Sequence, residues 1–145
     1  MPELTEKERE ELEKSLLELN RGRVLMEAMR EQIALLSTTL SELSSTIETI
    51  KKLKELPEGT EILTPIGSGS FVRAKLMPLE KILTGVGAEV VIERTPEEAL
   101  KFLEEKSAEV GRAVQRLQSE MANLQQKMED LRPQIEKLLS KVKEK

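Results

Sequence analysis

The sequence predicts a mainly α-helical fold, in which a long antiparallel two-helix coiled coil carries two β-hairpins inserted at its bend. Residues 5–56 and 96–144 repeat apolar side chains every seven positions, which is the pattern of coiled-coil helices. Between them, residues 60–94 collect β-branched residues and most of the glycines, as strands and turns do. The length of 145 residues is typical of one domain, so we expect a single domain over residues 1–145.

The first predicted helix begins at a T-x-x-E capping box formed by Thr5 and Glu8. Its first apolar row is Leu12, Leu19, Met26, Ile33, Leu40 and Ile47. Its second row is Leu16, Met29, Leu36, Leu43 and Ile50. Leu16 lies four residues after Leu12 in the first row, whereas each later member of the second row lies three residues after a member of the first row. The seam is therefore expected to change spacing and to weaken near Gly22.

The second predicted helix begins at Thr95-Pro96-Glu97-Glu98, which combines an N-cap, proline at the first helical position and a capping-box glutamate. Its rows are Leu103, Val110, Leu117, Leu124, Leu131 and Leu138, and Ser107, Val114, Met121, Met128, Ile135 and Val142. So narrow a stripe indicates a coiled-coil seam. Two helices of ~75 Å each can pair along their whole length, with both termini at one open end. Pro133 predicts a kink or local fraying there.

The middle of the chain predicts four short strands and two turns. The strands are expected at about 60–66, 70–76, 80–85 and 89–94. The hairpin turns are expected at Gly67-Ser68-Gly69 and Gly85-Val86-Gly87, where glycine permits the backbone conformation that tight turns need.

The predicted hairpins need partners. Two-stranded hairpins are marginally stable in water, and the helices have already used their apolar stripes on each other. Free strand edges would also promote uncontrolled pairing. We therefore expect the hairpins of several chains to close into an oligomeric β-barrel platform with projecting coiled coils. The predicted oligomerisation residues are Ile62, Ile66, Phe71, Val72, Leu76, Ile82, Val90 and Ile92.

Composition excludes most other functional classes. The 23 Lys and Arg residues are interspersed with 27 Asp and Glu residues, whereas nucleic-acid binding would need a clustered basic face. The chain has no His and no Cys, so imidazole and thiolate chemistry is absent. Carboxylate or lysine catalysis would need a desolvated pocket, which no motif indicates. We expect no enzyme activity, no metal and no cofactor.

The same composition bears on localisation. High Glu and Lys content without Cys is typical of heat-adapted intracellular proteins. There is no signal-peptide pattern and no apolar run near the roughly 20 residues of a membrane span. We expect a cytoplasmic protein that does not associate with membranes.

Three stretches resemble the alpha class of the prefoldin family, and the resemblance covers essentially the whole chain. Residues 62–74, ILTPIGSGSFVRA, are similar to the first hairpin of that class. Residues 84–90, TGVGAEV, with residues 93–99, ERTPEEA, are similar to its second hairpin and following helix. Residues 131–134, LRPQ, are similar to the proline segment near the end of its second helix. Glu89 departs from the small residue or glycine expected in the second turn.

The resemblance implies a hexamer of two alpha and four beta subunits, with a double β-barrel platform and six coiled-coil tentacles. It further implies that the tentacle tips bind unfolded client proteins and deliver them to a group II chaperonin without ATP. Because alpha-like paralogues assemble into filaments, self-assembly is the alternative to the hetero-hexamer.

The open end carries more apolar residues than a narrow seam requires. If the terminal turns fray, these side chains form an exposed surface for apolar segments of unfolded proteins. If they do not, the same residues are the last layers of the core. The candidate client-binding residues are Leu12, Leu16, Leu17, Leu19, Ile135, Leu138, Leu139 and Val142.

Two further patterns have competing interpretations. Gly67-Ser68-Gly69-Ser70 is similar to a phosphate-binding loop, but no Gly-Lys-Ser/Thr follows, and a hairpin turn explains both glycines. Met26, Met29, Met121 and Met128 could form a pliable client surface, although their heptad positions favour the core.

Two functions therefore remain. The first is a holdase subunit, which the surplus apolar residues at the open end favour. The second is a structural rod or filament former, which uses the same hairpins and coiled coil without binding clients. An enzyme has no motif in its favour.

Overall fold

The computed structural model describes residues 4–143 of the chain. Its elements are α1 (Glu6–Glu55), β1 (Glu61–Gly67), β2 (Ser70–Lys75), β3 (Ile82–Gly87), β4 (Val90–Arg94) and α2 (Pro96–Lys143). Two long antiparallel helices with two hairpins between them confirm the predicted mainly α class. The barrel platform requires several chains and stays a prediction.

The chain divides into two compact units. Unit 1 joins the segment up to Thr38 with the segment from Arg112 onward, and unit 2 spans Thr39–Gly111. Among the described residues, unit 1 contains helix and no strand, whereas unit 2 contains both hairpins and the helical turns next to them. The single domain over residues 1–145 stays a prediction.

The capping box at the start of α1 is formed as predicted. Thr5 Oγ1 accepts a hydrogen bond from the backbone N–H of Glu8 at 3.1 Å, and Glu8 Oε1 accepts one from the backbone N–H of Thr5 at 3.2 Å. Two N–H groups that no helical carbonyl can reach are thereby satisfied. The helix ends at Glu55, shortly before Pro57, because proline disfavours helix on its N-terminal side.

The seam of α1 is continuous, so the predicted change of spacing near Gly22 is wrong. Ser15 and Gly22 are buried, whereas Leu16 is 42% exposed. The second row therefore keeps a spacing of three residues after the first row along the whole helix. Its buried or half-buried members are Ser15, Gly22, Met29, Leu36, Leu43 and Ile50. The first two members are small, which hides them from a search for apolar residues.

Gly22 allows the two helices of unit 1 to approach closely. A Cβ atom on Gly22 would lie 2.9 Å from Sδ of Met128 and 3.0 Å from its Cγ, which is closer than van der Waals contact. Met128 therefore fills the space above the glycine. Met26 is buried and Met29 is half-buried, so these methionines belong to the core, as their heptad positions predict.

The start of α2 also matches its prediction. The helix begins at Pro96, and Thr95 Oγ1 accepts a hydrogen bond from the backbone N–H of Glu98 at 3.1 Å. The helix then continues through Pro133 to Lys143, so the fraying predicted from this proline is not found within residues 4–143. The predicted end at residue 144 lies outside the described residues.

The two hairpins share one backbone plan. β1 pairs with β2 and β3 pairs with β4, and both pairs are antiparallel. When 20 is added to the numbers of two paired residues in the first hairpin, the result is the equivalent pair in the second hairpin. Thus Leu63 faces Arg73, and Leu83 faces Glu93. In both hairpins the register shifts by one residue just before the turn, which is a β-bulge.

The second turn lies at Ala88 and Glu89, and the predicted turn at Gly85-Val86-Gly87 is wrong. Ala88 has φ of 49° and Glu89 has φ of 61°, so both adopt the left-handed conformation of a two-residue type I′ turn. The glycine-rich segment instead forms the bulged end of β3. The first turn lies at Ser68 and Gly69, inside the predicted segment. A non-glycine residue in this conformation costs about 1–2 kcal/mol, which is why sequence patterns favour glycine there.

Candidate functional site

The hairpins of unit 2 expose apolar side chains on both faces. Leu63 and Phe71 lie on one face of the first hairpin and Val72 lies on the other, and all three are exposed. The two hairpins form separate two-stranded sheets, so within residues 4–143 every strand has one unpaired edge. Exposed apolar residues beside free strand edges indicate an interaction surface.

The predicted oligomerisation residues do not share one environment. The exposed members are Ile66, Phe71, Val72, Val90 and Ile92. The half-buried members are Ile62, Leu76 and Ile82. The predicted set omits five exposed residues of this region, which are Leu63, Met77, Leu83, Val86 and Val91. The sequence does contain a signal for the omitted strand residues. In the ILT runs and the VVI run, neighbouring residues are apolar, and neighbouring residues of a strand point to opposite faces, so apolar side chains are expected on both faces of each hairpin.

One face of the second hairpin is partly covered by α2. The guanidinium carbon of Arg94 lies 4.2 Å from the ring centroid of Phe102, which is a cation–π contact. Thr84 lies on the same face and is buried, and neither Thr84 Oγ1 nor Arg94 Nε has a hydrogen-bond partner among the described residues. The opposite face, with Leu83 and Val91, stays open.

Two ion pairs join the helices next to the hairpins. Lys54 Nζ lies 3.0 Å from Glu97 Oε1, and Lys51 Nζ lies 3.9 Å from Glu104 Oε1. The pKa of Glu97 is lowered, chiefly by a hydrogen bond to its own backbone N–H at the helix start and then by Lys54. Such exposed pairs add little stability, but they match the antiparallel register of the helices.

The predicted client-binding residues of unit 1 divide into two sets. Ile135 and Leu138 are buried, and Leu12 and Leu19 are half-buried, so these four residues form layers of the seam. The other four are exposed in intact helices and are called here the open-end residues. They are Leu16, Leu17, Leu139 and Val142. The predicted set omits three further exposed residues of α1, which are Val24, Leu25 and Leu35.

Glu8 and Lys141 connect the first turn of α1 to the last turns of α2. Lys141 Nζ donates a hydrogen bond to Glu8 Oε2. The pKa of Glu8 is lowered, chiefly by this hydrogen bond and then by the backbone hydrogen bond from Thr5. Because the folded-state pKa lies below the unfolded one, the stabilisation is complete above the unfolded pKa and is lost as the pH falls through the folded pKa.

We expect Glu8→Gln to lower the melting temperature at pH 7, because the neutral amide loses the ion pair with Lys141. The difference from the unchanged chain should shrink towards pH 2, where Glu8 is itself protonated. Thermal unfolding followed by circular dichroism at both pH values checks this. Glu11→Gln, at an exposed position of the same helix, is the matched control and should change little. An equal loss at both pH values would contradict the role of the charge.

The described residues contain no group of three or more His, Cys, Asp or Glu side chains that could hold a metal ion. Within residues 4–143, neither helix is long and apolar enough to cross a membrane. The features that distinguish this chain are therefore its exposed apolar surfaces, on the hairpins and at the end of unit 1.

Comparisons with known proteins identify the family. A model of the prefoldin subunit family matches residues 23–141. The prefoldin subunit alpha of Methanopyrus kandleri is 36% identical over 104 residues, which are 72% of this chain and 66% of that protein. The prefoldin subunit alpha of Pyrococcus horikoshii is 30% identical over 119 residues, which are 81% of this chain and 80% of that protein.

Solved structures share the same architecture. A filamentous PFD from Methanocaldococcus jannaschii, determined by cryo-electron microscopy, is 32% identical with a TM-score of 0.71, covering 79% of this chain and 94% of that one. The prefoldin beta subunit of Thermococcus strain KS-1 is 14% identical with a TM-score of 0.57, and at this identity it shows the fold alone. Since the family match includes both hairpins and most of both helices, the chain belongs to the prefoldin family as an alpha subunit of the archaeal type.

Proposed function

We propose that this chain is a holdase subunit that binds non-native proteins at the open end of its helices and delivers them to a group II chaperonin without ATP, in the cytoplasm. Prefoldin subunits form a non-enzymatic chaperone family, which implies a chaperone role and confirms the prediction that the chain is not an enzyme. Client binding and chaperonin delivery are the proposed steps.

The hairpins support assembly with other subunits. Membership among alpha subunits implies partnership with beta subunits in a hexamer. The proposed stoichiometry is two alpha and four beta chains around a platform of closed β-barrels. Its support is the combination of free strand edges with exposed apolar residues, because a closed barrel pairs the edges and buries one face.

The observation that carries the proposed client binding is the exposure of the open-end residues in intact helices. Leu16 and Leu17 on α1, and Leu139 and Val142 on α2, are exposed to water although neither helix is frayed at these positions. Binding apolar segments of an unfolded protein would remove these side chains from water, which is favourable without an energy source. While a client is bound, the buried seam residues Ile135 and Leu138 keep the two helices of unit 1 packed against each other.

The test replaces all four open-end residues with glutamine in the chain assembled with its beta partner. We expect a loss of several-fold in the ability to suppress aggregation of a denatured test protein, measured by light scattering. The mass of the complex should not change, because these residues belong to unit 1, whereas the hairpin strands belong to unit 2. The control variant carries glutamine at Val24 and Leu35, which are also exposed on α1. Unchanged suppression by the fourfold variant would refute client binding at these residues.

A second candidate function is a structural filament former without client binding. The similarity to the filamentous PFD of M. jannaschii favours it, because the aligned region covers 94% of that chain. The mass of the purified chain, alone and mixed with a candidate beta subunit, separates the two assemblies. Large particles without beta subunits, together with no suppression of aggregation, would favour the structural role.

A further inference from the structure

A second heptad stripe runs along the face of α1 that points away from the seam. Its members follow alternating steps of four and three residues, which is the spacing of a coiled-coil surface. At ~100° per residue, Leu17 and Leu35 point directly away from the buried Met26, and Val24 and Ala28 lie within ~20° of that direction. This surface is called here the outer stripe. It consists of Leu17, Arg21, Val24, Ala28, Glu31 and Leu35.

The outer stripe is exposed along its whole length. Leu17, Val24 and Leu35 are 50%, 65% and 71% exposed, and Ala28 is exposed as well. All members of the stripe belong to unit 1, whose second helix packs on the opposite side of α1, where Met26 is buried. No element of the described residues 4–143 therefore covers the stripe, although heptad spacing suits it to packing against another helix.

The apolar members of the outer stripe are placed symmetrically about Met26. Leu17 and Leu35 lie nine residues before and after it, and Val24 and Ala28 lie two residues before and after it. If two copies of α1 pack antiparallel about a two-fold axis at this level, Leu17 of each copy faces Leu35 of the other, and Val24 faces Ala28. A small residue opposite a larger one allows the two helices to approach closely at the centre.

The two charged members follow the same symmetry with opposite signs. Arg21 lies five residues before Met26, and Glu31 lies five residues after it. Antiparallel packing brings Arg21 of each copy against Glu31 of the other, so the ion pair forms twice in one interface. Parallel packing in register would bring like charges together, which is repulsive. Within residues 4–143 neither side chain forms an ion pair, so both are available to a second copy.

We propose that the outer stripe is a docking surface for α1 of a second copy of this chain, packed antiparallel about a two-fold axis at Met26. The next heptad positions, Lys14 and Thr38, are polar, which limits the apolar contact to about 27 Å of helix. So short a contact is at the weak end of protein interfaces, and we expect a dissociation constant of about 10–100 µM.

This contact joins complexes that have already assembled. It uses α1 alone, so the mass of a single complex, measured at low concentration, is the same with and without it. The docking surface goes beyond the proposed chaperone role and does not depend on client binding.

Charge reversal in the chain assembled with its beta partner tests the orientation. Sedimentation velocity is measured from about 5 to about 300 µM, which brackets the expected dissociation constant. Arg21→Glu and Glu31→Arg should each weaken the association about tenfold, because two attractive contacts become repulsive. An equal mixture of the two variant complexes should associate like the unchanged complex, since the introduced carboxylate of one meets the introduced guanidinium of the other. The double variant should do so as well.

Disulfide trapping tests the register independently, because the chain has no cysteine of its own. Complexes with Leu17→Cys and complexes with Leu35→Cys, mixed and mildly oxidised, should give a disulfide-linked dimer of this chain, because the two positions face each other. Either variant alone should not, because two copies of one position lie about 27 Å apart, far beyond the reach of a disulfide. Mass spectrometry of the linked peptides identifies the product.

The matched control is Arg23→Glu. It makes the same change of charge as Arg21→Glu at an exposed position of α1, but it lies only ~60° from Met26 around the helix and so outside the outer stripe. Self-association of this variant should be unchanged. Circular dichroism verifies that every variant keeps its helices.

Three results would each overturn the proposal. One is an unchanged complex that stays single at about 300 µM. Another is failure of the mixture and the double variant to recover. The third is a disulfide dimer from Leu17→Cys alone, which indicates parallel packing. Absence of self-association, with weaker suppression of aggregation by the glutamine variant at Val24 and Leu35, would assign the stripe to clients instead. Suppression of aggregation is a separate readout, so failure of the chaperone role would leave the docking result unaffected.

Discussion

Replacing Leu63 and Leu83 together with glutamate is expected to abolish assembly while leaving the chain folded. In the isolated chain these side chains are 66% and 67% exposed, so a carboxylate at either position stays in water at little cost. In a platform that buries this face of the hairpins, the same carboxylates would lose their hydration without gaining a partner. Burial of an unpaired charge costs about several kcal/mol per group, so the two carboxylates together strongly oppose assembly.

The mass of the complex, with and without beta subunits, measures this effect, and circular dichroism verifies that the helices remain. The matched control carries glutamate at Val24 and Leu35, which are equally apolar and exposed but lie on α1 in unit 1. That variant should assemble normally. A full-size complex of the Leu63 and Leu83 variant would show that this face of the hairpins is not an interface.

Leu138→Ala is expected to lower the free energy of unfolding by about 2–4 kcal/mol, whereas Leu139→Ala should lower it by less than about 1 kcal/mol. The two leucines are adjacent in α2, but Leu138 is 7% exposed in the seam and Leu139 is 37% exposed. Truncating the buried side chain leaves a cavity between the helices, and truncating the exposed one does not.

Chemical denaturation followed by circular dichroism compares the two variants under identical conditions. Suppression of aggregation should show the opposite order at temperatures where both are folded, since Leu139 belongs to the proposed client surface and Leu138 does not. Equal destabilisation by both substitutions would contradict the division of the open end into seam and surface.

Much of the fold follows from local patterns. The heptads and the threonine caps at Thr5 and Thr95 predict both helices to within a few residues, because capping and periodicity depend on neighbours along the chain. The partner row of α1 was harder to predict. Ser15 and Gly22 are buried by the facing helix and not by their own hydrophobicity, so a search for apolar residues selects Leu16 instead.

The second turn shows a similar limit. Gly85 and Gly87 attract a turn prediction because glycine tolerates φ > 0, but the bulge moves the turn two residues on, to Ala88 and Glu89. The residue types alone therefore predict that a hairpin exists but not its register. The same holds for the candidate surfaces, because the exposure of Leu83 depends on which face of the second hairpin α2 covers.

The ring of Phe102, which Arg94 contacts, is a position at which a spectroscopic label can report on the second hairpin. Phe102 is one of two phenylalanines, and the chain has no tryptophan or tyrosine. Fluorine labelling of phenylalanine would therefore yield two resonances, one reporting whether the second hairpin rests on α2 and the other, from Phe71, reporting on the exposed strand β2. Tryptophan emission from any bound polypeptide could be recorded against a dark background, with no contribution from this subunit.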